Sequence, residues 1–193
     1  MFVGMVCLLI DDRTDGVEFL LPDAAGYALM AVGFHLLAGV DRRFRIGRAV
    51  AAVMVLVALV TLVDTSEYVG EYGDLPYYWN RLWPLPIAEV LGDAAVVWLA
   101  IGGLREQAIR RGKFRIAEPA LNARSVYVAI GLFRAVFQGV YVLGVATGFL
   151  FITRLESFVA IPLLCFQILG ALLVLEVLAT SWRRRREFLN GER

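Results

Sequence analysis

The sequence of 193 residues is poor in charge, in lysine, in histidine and in cysteine. Only 19% of its residues are Asp, Glu, Lys or Arg, whereas 60% are hydrophobic and the mean hydropathy is +0.70. A soluble domain usually has about 25% charged and about 45 to 50% apolar residues. The shortage of charge therefore argues against a soluble domain and predicts a membrane protein.

The scarcity of metal-binding and nucleophilic side chains restricts the chemistry. His35 is the only histidine, which excludes HExxH motifs and metal cages built from several histidines. Cys7 and Cys165 lie inside apolar runs, so we expect neither a disulfide framework nor a thiolate metal site. No Ser-His or Cys-His pairing and no Gly-rich phosphate loop is evident. We therefore expect no catalytic residue, metal or cofactor, and we interpret His35 as a hydrogen-bonding group between helices.

Five apolar segments separated by charged connections predict an all-α fold, a polytopic helical membrane bundle of a single domain. Residues 1–10 are also apolar, but as a helix they rise about 15 Å, against a hydrocarbon core of about 30 Å. We expect them to form a short, half-inserted helix at the N-terminus. The five full transmembrane helices are expected at residues 22–40, 49–63, 86–104, 126–152 and 158–181.

The ends of two of these spans can also be predicted. The third span is expected to continue as a helix to Arg111, with Gly112 as its C-terminal cap. A short turn at residues 153–157 is expected to lead into the last span.

Charge is strongly segregated along the chain. Of the 19 basic residues, 18 are arginine, and 15 fall in three clusters at residues 41–48, 105–124 and 183–193. Because Lys and Arg are retained on the cytoplasmic side, the clusters predict a multi-pass membrane protein whose C-terminus is cytoplasmic. Nucleic-acid binding is not expected, since the clusters lie at the ends of apolar segments. The expected cytoplasmic anchors are Arg42, Arg43, Arg45, Arg48, Arg110, Arg111, Arg183, Arg184, Arg185 and Arg186.

Aromatic residues crowd the acidic connection at residues 64–85. Tyrosine and tryptophan rings prefer the headgroup level of a bilayer, so we interpret them as an aromatic belt on a surface-lying connection. The alternative is a platform for a sugar or a lipid headgroup. The expected membrane-interface aromatics are Tyr68, Tyr72, Tyr77, Tyr78, Trp79 and Trp83, with Trp182 beside the last arginines.

Two carboxylates lie inside the third span. Glu89 and Asp93 are four residues apart and therefore share one face of a helix. A charge within hydrocarbon costs roughly 2.5 to 3.5 kcal/mol on insertion scales, so each needs a partner. Counting along the helices puts Asp93 about 12 Å and Arg134 about 16 Å below the outer face of the core. Gln138 lies closer still in depth to Glu89 and Asp93, and Gln167 falls near the midplane of the bilayer. These five residues are the predicted ligand or ion site.

Two carboxylates beside one guanidinium leave this cluster one positive charge short, because arginine does not release its proton. The favoured interpretation is a structural or accessory membrane protein in which the cluster fixes helix register. One alternative is a proton- or cation-linked transporter or channel component that uses Glu89 and Asp93. A second is a membrane enzyme that processes lipid or isoprenoid substrates.

Partner predictions follow from the apolar helices. The lipid bilayer is the expected partner of the whole bundle. Gly144 and Gly148 form a G-x-x-x-G pair, a pattern that lets a second helix approach closely, so a homo-oligomer is one candidate assembly.

Two stretches resemble known families. Asp12, Asp15 and Gly16 reproduce the opening D-x-x-D-G of the CDP-alcohol phosphotransferases, but that family's later acidic residues are missing at their spacings. The sequence LPD at residues 21–23, followed by Gly26 and Tyr27, resembles an uncharacterised family of small bacterial multi-pass membrane proteins. This second resemblance covers the first third of the chain and implies a location in the bacterial cytoplasmic membrane without an activity.

Overall fold

The computed structural model of the chain describes Gly4 and residues 23–61, 66–72, 75–80, 84–147 and 151–183. The described part contains five helices and two strands. The helices are α1 (Asp23–Leu37), α2 (Arg42–Thr61), α3 (Pro84–Arg110), α4 (Phe114–Thr147) and α5 (Phe151–Arg183), and the strands are β1 (Ser66–Tyr72) and β2 (Leu75–Asn80). The expected half-inserted helix at residues 1–10 lies outside the described residues except for Gly4.

Helices that are neighbours in the chain pack against each other in antiparallel order. Phe44 near the start of α2 meets Gly103 near the end of α3, and Met54 further along α2 meets Gly92 nearer the start of α3. The same reversed order joins α4 to α3 and α5 to α4. The helices α1, α3 and α5 therefore run in one direction, and one apolar core passes through all five helices.

This alternation gathers positive charge at one end of the bundle. The first cluster begins α2, the second surrounds the turn between α3 and α4, and Arg183 ends α5. The strands β1 and β2 follow the other end of α2 in the chain. The described basic residues of the three clusters thus lie at one end of the bundle, opposite to the end of α2 that the strands follow.

The outer surfaces of the helices are apolar, whereas a carboxylate side chain, that of Glu89, is buried inside. This arrangement suits a bilayer, where hydrocarbon surrounds the helices and polar groups must find partners within the bundle. Within the described residues, three helices are long and apolar enough to cross a membrane: Ile87–Arg110, Phe114–Gly144 and Ile161–Ser181. Large apolar side chains that are more than half exposed include Val32, Leu36, Val53, Leu56, Phe133, Val136, Leu143, Ile161, Phe166 and Leu172.

The strands are the part of the fold that the all-α prediction omits. Strands β1 and β2 pair antiparallel, with Glu67 opposite Trp79 and Tyr68 opposite Tyr78, and the register shifts between Tyr68 and Gly70. Tyr, Val and Trp favour strands because their side chains pack well on a pleated surface. The predicted interface aromatics of residues 68–79 therefore lie on a small two-stranded sheet within the connection.

Several helix boundaries differ from the prediction. Helix α2 begins at Arg42 and not at residue 49, because Asp41 caps it: its Oδ1 accepts a hydrogen bond of 2.8 Å from the backbone N–H of Arg43. The expected turn at residues 153–157 is instead the first part of α5, which begins at Phe151. That stretch of sequence contains neither glycine nor proline to end a helix.

The predicted cap at Gly112 is confirmed. Helix α3 ends at Arg110, and Gly112 has φ of 67°, a left-handed conformation that glycine adopts without strain. The backbone N–H of Lys113 donates to the carbonyl of Ala108 at 2.7 Å, and that of Gly112 donates to the carbonyl of Ile109 at 2.9 Å. These two bonds form a Schellman motif, which turns the chain back into α4.

Candidate functional site

Asp93 is held from α1. The hydroxyl of Tyr27 donates a hydrogen bond of 2.6 Å to Oδ1 of Asp93, and the Tyr27 side chain is completely buried. Two further carboxylates lie close enough to Tyr27 to act on it electrostatically. Asp23 lies one helical turn before Tyr27 on α1, and Glu89 lies one turn before Asp93 on α3. A short bond to a carboxylate is among the stronger hydrogen bonds in proteins, so it ties α1 firmly to α3.

Arg134 is held from α5. Its Nη1 donates a hydrogen bond of 3.1 Å to Oε1 of Gln167. Both side chains are partly buried, and the Arg134 guanidinium acts electrostatically on the buried Tyr127, which lies about two turns earlier on α4. The guanidinium thus finds a neutral acceptor between α4 and α5 instead of lipid.

A small cavity joins these two pairs. Asp93 from α3, Tyr127 and Arg134 from α4, and Gln167 from α5 line it, together with apolar groups of α3 and α4. Its volume is about 20 Å³. A single water molecule needs about 10 to 15 Å³ on this measure and two to four polar partners, so the cavity matches one water molecule in size and polarity.

The remaining two predicted residues lie beside the cavity. Glu89 is 7% exposed and faces the bundle interior without lining the cavity. Gln138 lies one turn beyond Arg134 on α4, and its Oε1 atom is buried with no hydrogen-bond donor among the described residues. The structure thus brings Asp93, Arg134 and Gln167 together and leaves Glu89 and Gln138 at the periphery.

Tyr27 is the residue of this cluster that the sequence analysis missed. Tyr127 shares a near-helical spacing with Arg134, Gln138 and Tyr141 in the fourth predicted span, whereas Tyr27 appeared only within a family motif. A tyrosine in the middle of an apolar segment usually finds a partner for its hydroxyl, and Tyr27 lies four residues after Asp23. These two features were the available evidence that α1 contributes to the cluster.

His35 bridges two helices, as predicted. Its Nδ1 lies 3.0 Å from Nη1 of Arg48, so the arginine of α2 donates to the imidazole of α1. Among the described residues, no group of three or more His, Cys, Asp or Glu side chains could hold a metal ion.

Arg43 and Arg110, two of the predicted cytoplasmic anchors, make specific contacts within the bundle. Arg43 Nη1 donates a hydrogen bond of 2.7 Å to the carbonyl oxygen of Gly102 and lies 3.7 Å from Glu106. Arg110 lies 3.4 Å from Glu106 and 3.8 Å from Asp41. These contacts fasten the start of α2 to the end of α3, and a role of the two arginines as anchors at the membrane surface stays a prediction.

Most of the remaining predicted site residues, or their side chains, lie outside the part of the chain that the structure describes. The side chains of the residues on β1 and β2 and of Trp182 are outside the described part, as are Trp83, Gly148 and residues 184–186. Gly144 is buried. Asp12 and Asp15, on which the enzyme alternative depends, also lie outside the described residues.

An open groove lies between α4 and α5 on the outside of the bundle. Its volume is about 420 Å³, and its lining is apolar, with Ala129, Phe133, Pro162 and Phe166 among the residues. Such a surface suits hydrocarbon and offers no group for chemistry.

The polar cluster therefore consists of one carboxylate and one guanidinium at a water-sized cavity, each with a neutral hydrogen-bonding partner from another helix. The resemblance of residues 21–27 to a bacterial membrane-protein family stays a prediction. No family model matches this chain, and no curated protein or solved structure matches it either.

Proposed function

We propose that the protein is a multi-pass integral membrane protein of structural or accessory type, in which a buried polar cluster fixes the packing of the helices. One observation carries this proposal: Tyr27 bonds to Asp93 and Arg134 bonds to Gln167 around one shared cavity. The two bonds together draw on α1, α3, α4 and α5. Polar contacts between helices specify neighbours in a bilayer, where apolar packing alone does not distinguish protein from lipid.

The size of the cavity favours a structural role. A volume of about 20 Å³ holds about one water molecule and is far below the roughly 300 Å³ or more of a typical ligand pocket. The charged groups of the cluster are also hydrogen-bonded to residues of other helices: Asp93 accepts from Tyr27, and Arg134 donates to Gln167. A resting binding site for an organic substrate would need both space and uncommitted polar groups.

The proposed membrane topology has five spans. Helices α3, α4 and α5 have the length and composition for three of them. Helices α1 and α2 supply the other two, since apolar residues continue their described parts in the sequence, at residues 20–22 and 62–63. The gathering of arginine at one end of the bundle supports a cytoplasmic position for that end and for the C-terminus.

Purified protein in proteoliposomes tests the structural role. We expect no proton uptake above that of empty liposomes under a membrane potential, measured with an internal pH-sensitive dye. The Asp93→Asn variant should show the same absence of uptake and a lower melting temperature, because the carboxylate that accepts from Tyr27 is lost. Glu118→Gln is the control, because Glu118 is an exposed residue at the basic end of α4 and the substitution removes one negative charge away from the cavity.

A proton-linked function is the second candidate, and the charge balance favours it. Asp23, Glu89 and Asp93 lie around Tyr27, whereas Arg134 is the cation at the cavity. Acids that outnumber cations in a membrane interior readily bind a proton. Proton uptake by the wild-type protein that Asp93→Asn abolishes and Glu118→Gln preserves would replace the structural proposal with this one.

A further inference from the structure

A second cluster of charged residues lies at the basic end of the bundle, around Gly102 of α3. Arg43 comes from α2, Arg105 from the last turns of α3, and Arg124 from α4. A Cβ atom at Gly102 would lie 3.2 Å from Nη1 of Arg124 and 3.8 Å from Nη1 of Arg43. The two guanidinium groups therefore approach each other over the glycine, and Arg43 and Arg105 both act electrostatically on Arg124.

Nearby acids leave two of the three arginines in this cluster without a carboxylate partner. Glu106 pairs with Arg43 and Arg110, and Asp41 pairs with Arg110. Among the described residues, Arg105 and Arg124 have no carboxylate within ion-pair distance. Like charges at such short range repel each other, so their convergence is unfavourable unless an anion lies between them.

The hydrogen-bond donors of Arg105 and Arg124, the two arginines without a carboxylate partner, also favour a bound anion. The Nε atoms of Arg105 and Arg124 are buried, and neither has an acceptor among the described residues. A buried donor without an acceptor costs about 1 to 3 kcal/mol, and more when it is charged. Because the two Nε atoms belong to neighbouring helices, a ligand with several acceptor oxygens could satisfy both of them.

The Arg124 guanidinium is also held in a fixed orientation. Its Cζ lies 3.8 Å from the centroid of the Trp98 ring, a cation–π contact that orients the plane of the group. Trp98 is 43% exposed on the outer surface of α3. The cluster therefore borders the surface that faces lipid, at the level where the basic ends of the helices meet headgroups.

We propose that Arg43, Arg105 and Arg124 form a binding site for a phosphate group at the basic end of the bundle. A phosphate offers several anionic oxygens, and the planar guanidinium group matches them with two parallel N–H donors. Gly102 leaves the space in which the guanidinium groups converge. The phosphate belongs either to an anionic lipid headgroup or to free phosphate, and the border with the lipid-facing surface favours the headgroup.

Binding of short-chain ligands to the full-length protein in a neutral detergent tests this site. The probes are dioctanoylphosphatidylglycerol, dioctanoylglycerol, which lacks the phosphate, and sodium phosphate at constant ionic strength. We expect dioctanoylphosphatidylglycerol to bind and dioctanoylglycerol to bind at least tenfold more weakly. Sodium phosphate that binds as well as the phospholipid would identify free phosphate as the ligand of the same site.

Variants distinguish the site from general attraction to positive charge. Arg105→Gln and Arg124→Gln should each weaken binding of dioctanoylphosphatidylglycerol on the order of tenfold. Arg115→Gln is the matched control, because Arg115 is an exposed arginine of the same basic stretch and the substitution removes the same charge. Gly102→Ala keeps every charge but crowds Nη1 of Arg124, so it should weaken binding as well.

The melting temperature without ligand, followed by tryptophan fluorescence, shows which variants are folded. If Arg124→Gln does not fold, Arg124→Lys replaces it, since lysine keeps the charge and removes the planar pair of donors. Wild-type affinity in both Arg105→Gln and Arg124→Lys would overturn the proposal. An equal loss of affinity in Arg115→Gln would overturn it too, because binding would then follow total charge.

Discussion

The hydroxyl of Tyr27 on α1 lies 2.6 Å from Oδ1 of Asp93 on α3, and the two residues are 66 positions apart in the chain. The helix α2 lies between α1 and α3 in the sequence. The hydrogen bond therefore joins two helices that are not neighbours in the chain. A tyrosine hydroxyl is an uncharged donor, so it can stay buried in all conditions in which tyrosine keeps its proton. Tyr27 therefore stabilises a carboxylate without adding a second charge to the interior.

Replacing Tyr27 by phenylalanine should measure the value of this bond. The substitution keeps the buried ring and removes the donor, so we expect the free energy of unfolding to fall by about 1 to 2 kcal/mol. Thermal or denaturant unfolding in detergent gives the measurement. Ser125→Ala, which removes an exposed hydroxyl, serves as the control, and an equal effect of the two substitutions would contradict the role of Tyr27.

The double exchange Asp93→Arg with Arg134→Asp tests whether the two charges act on each other across the cavity that both line. Each single substitution should lower the yield of folded protein, because it brings two like charges to the cavity. The double variant should recover much of that yield, since Gln167 can donate to a carboxylate as readily as it accepts from a guanidinium. The yield of monodisperse protein after size-exclusion chromatography is the measurement, and no recovery in the double variant would show that the two charges are solvated separately.

The sequence predicted most of the residues that form the polar cluster but not which of them bond to each other. Asp93, Arg134 and Gln167 were predicted from their depth along the helices, because a rise of about 1.5 Å per residue converts sequence position directly into depth. Depth does not determine rotation about the helix axis or the identity of the neighbouring helix. The Tyr27 bond to Asp93 and the Arg134 bond to Gln167 depend on both, and they were not predicted.

The fold shows the same division between local and long-range information. Gly112 was recognisable as a cap because its role depends on its own left-handed conformation. The pairing of β1 with β2 was missed, since short strands depend on partners and context more than on their own composition. The cluster of Arg43, Arg105 and Arg124 could not be found from the sequence either, because it forms only when three helix ends meet.

Gly47 allows α1 and α2 to approach each other closely. A Cβ atom at this position would lie 2.7 Å from two ring carbons of Phe34, and that ring is completely buried and also contacts Phe44. Gly47→Ala should therefore lower the free energy of unfolding by about 1 to 3 kcal/mol through overpacking. Gly39→Ala is the matched control, because nothing lies within 4 Å of its added Cβ and its effect should stay within about 0.5 kcal/mol. Equal unfolding temperatures for the two variants would mean that the α1–α2 contact is loose.

The orientation of the bundle can be tested with single cysteines in a variant that lacks Cys7 and Cys165. Arg115→Cys lies on the exposed surface of α4 at the basic end, and Glu71→Cys lies on β1 beyond the other end of α2. If arginine keeps the basic end in the cytoplasm, a membrane-impermeant maleimide should label Glu71→Cys in intact bacterial spheroplasts. It should label Arg115→Cys only after the membrane is permeabilised. The reverse pattern would place the acidic, aromatic sheet in the cytoplasm, and labelling of both positions in intact spheroplasts would exclude the five-span topology.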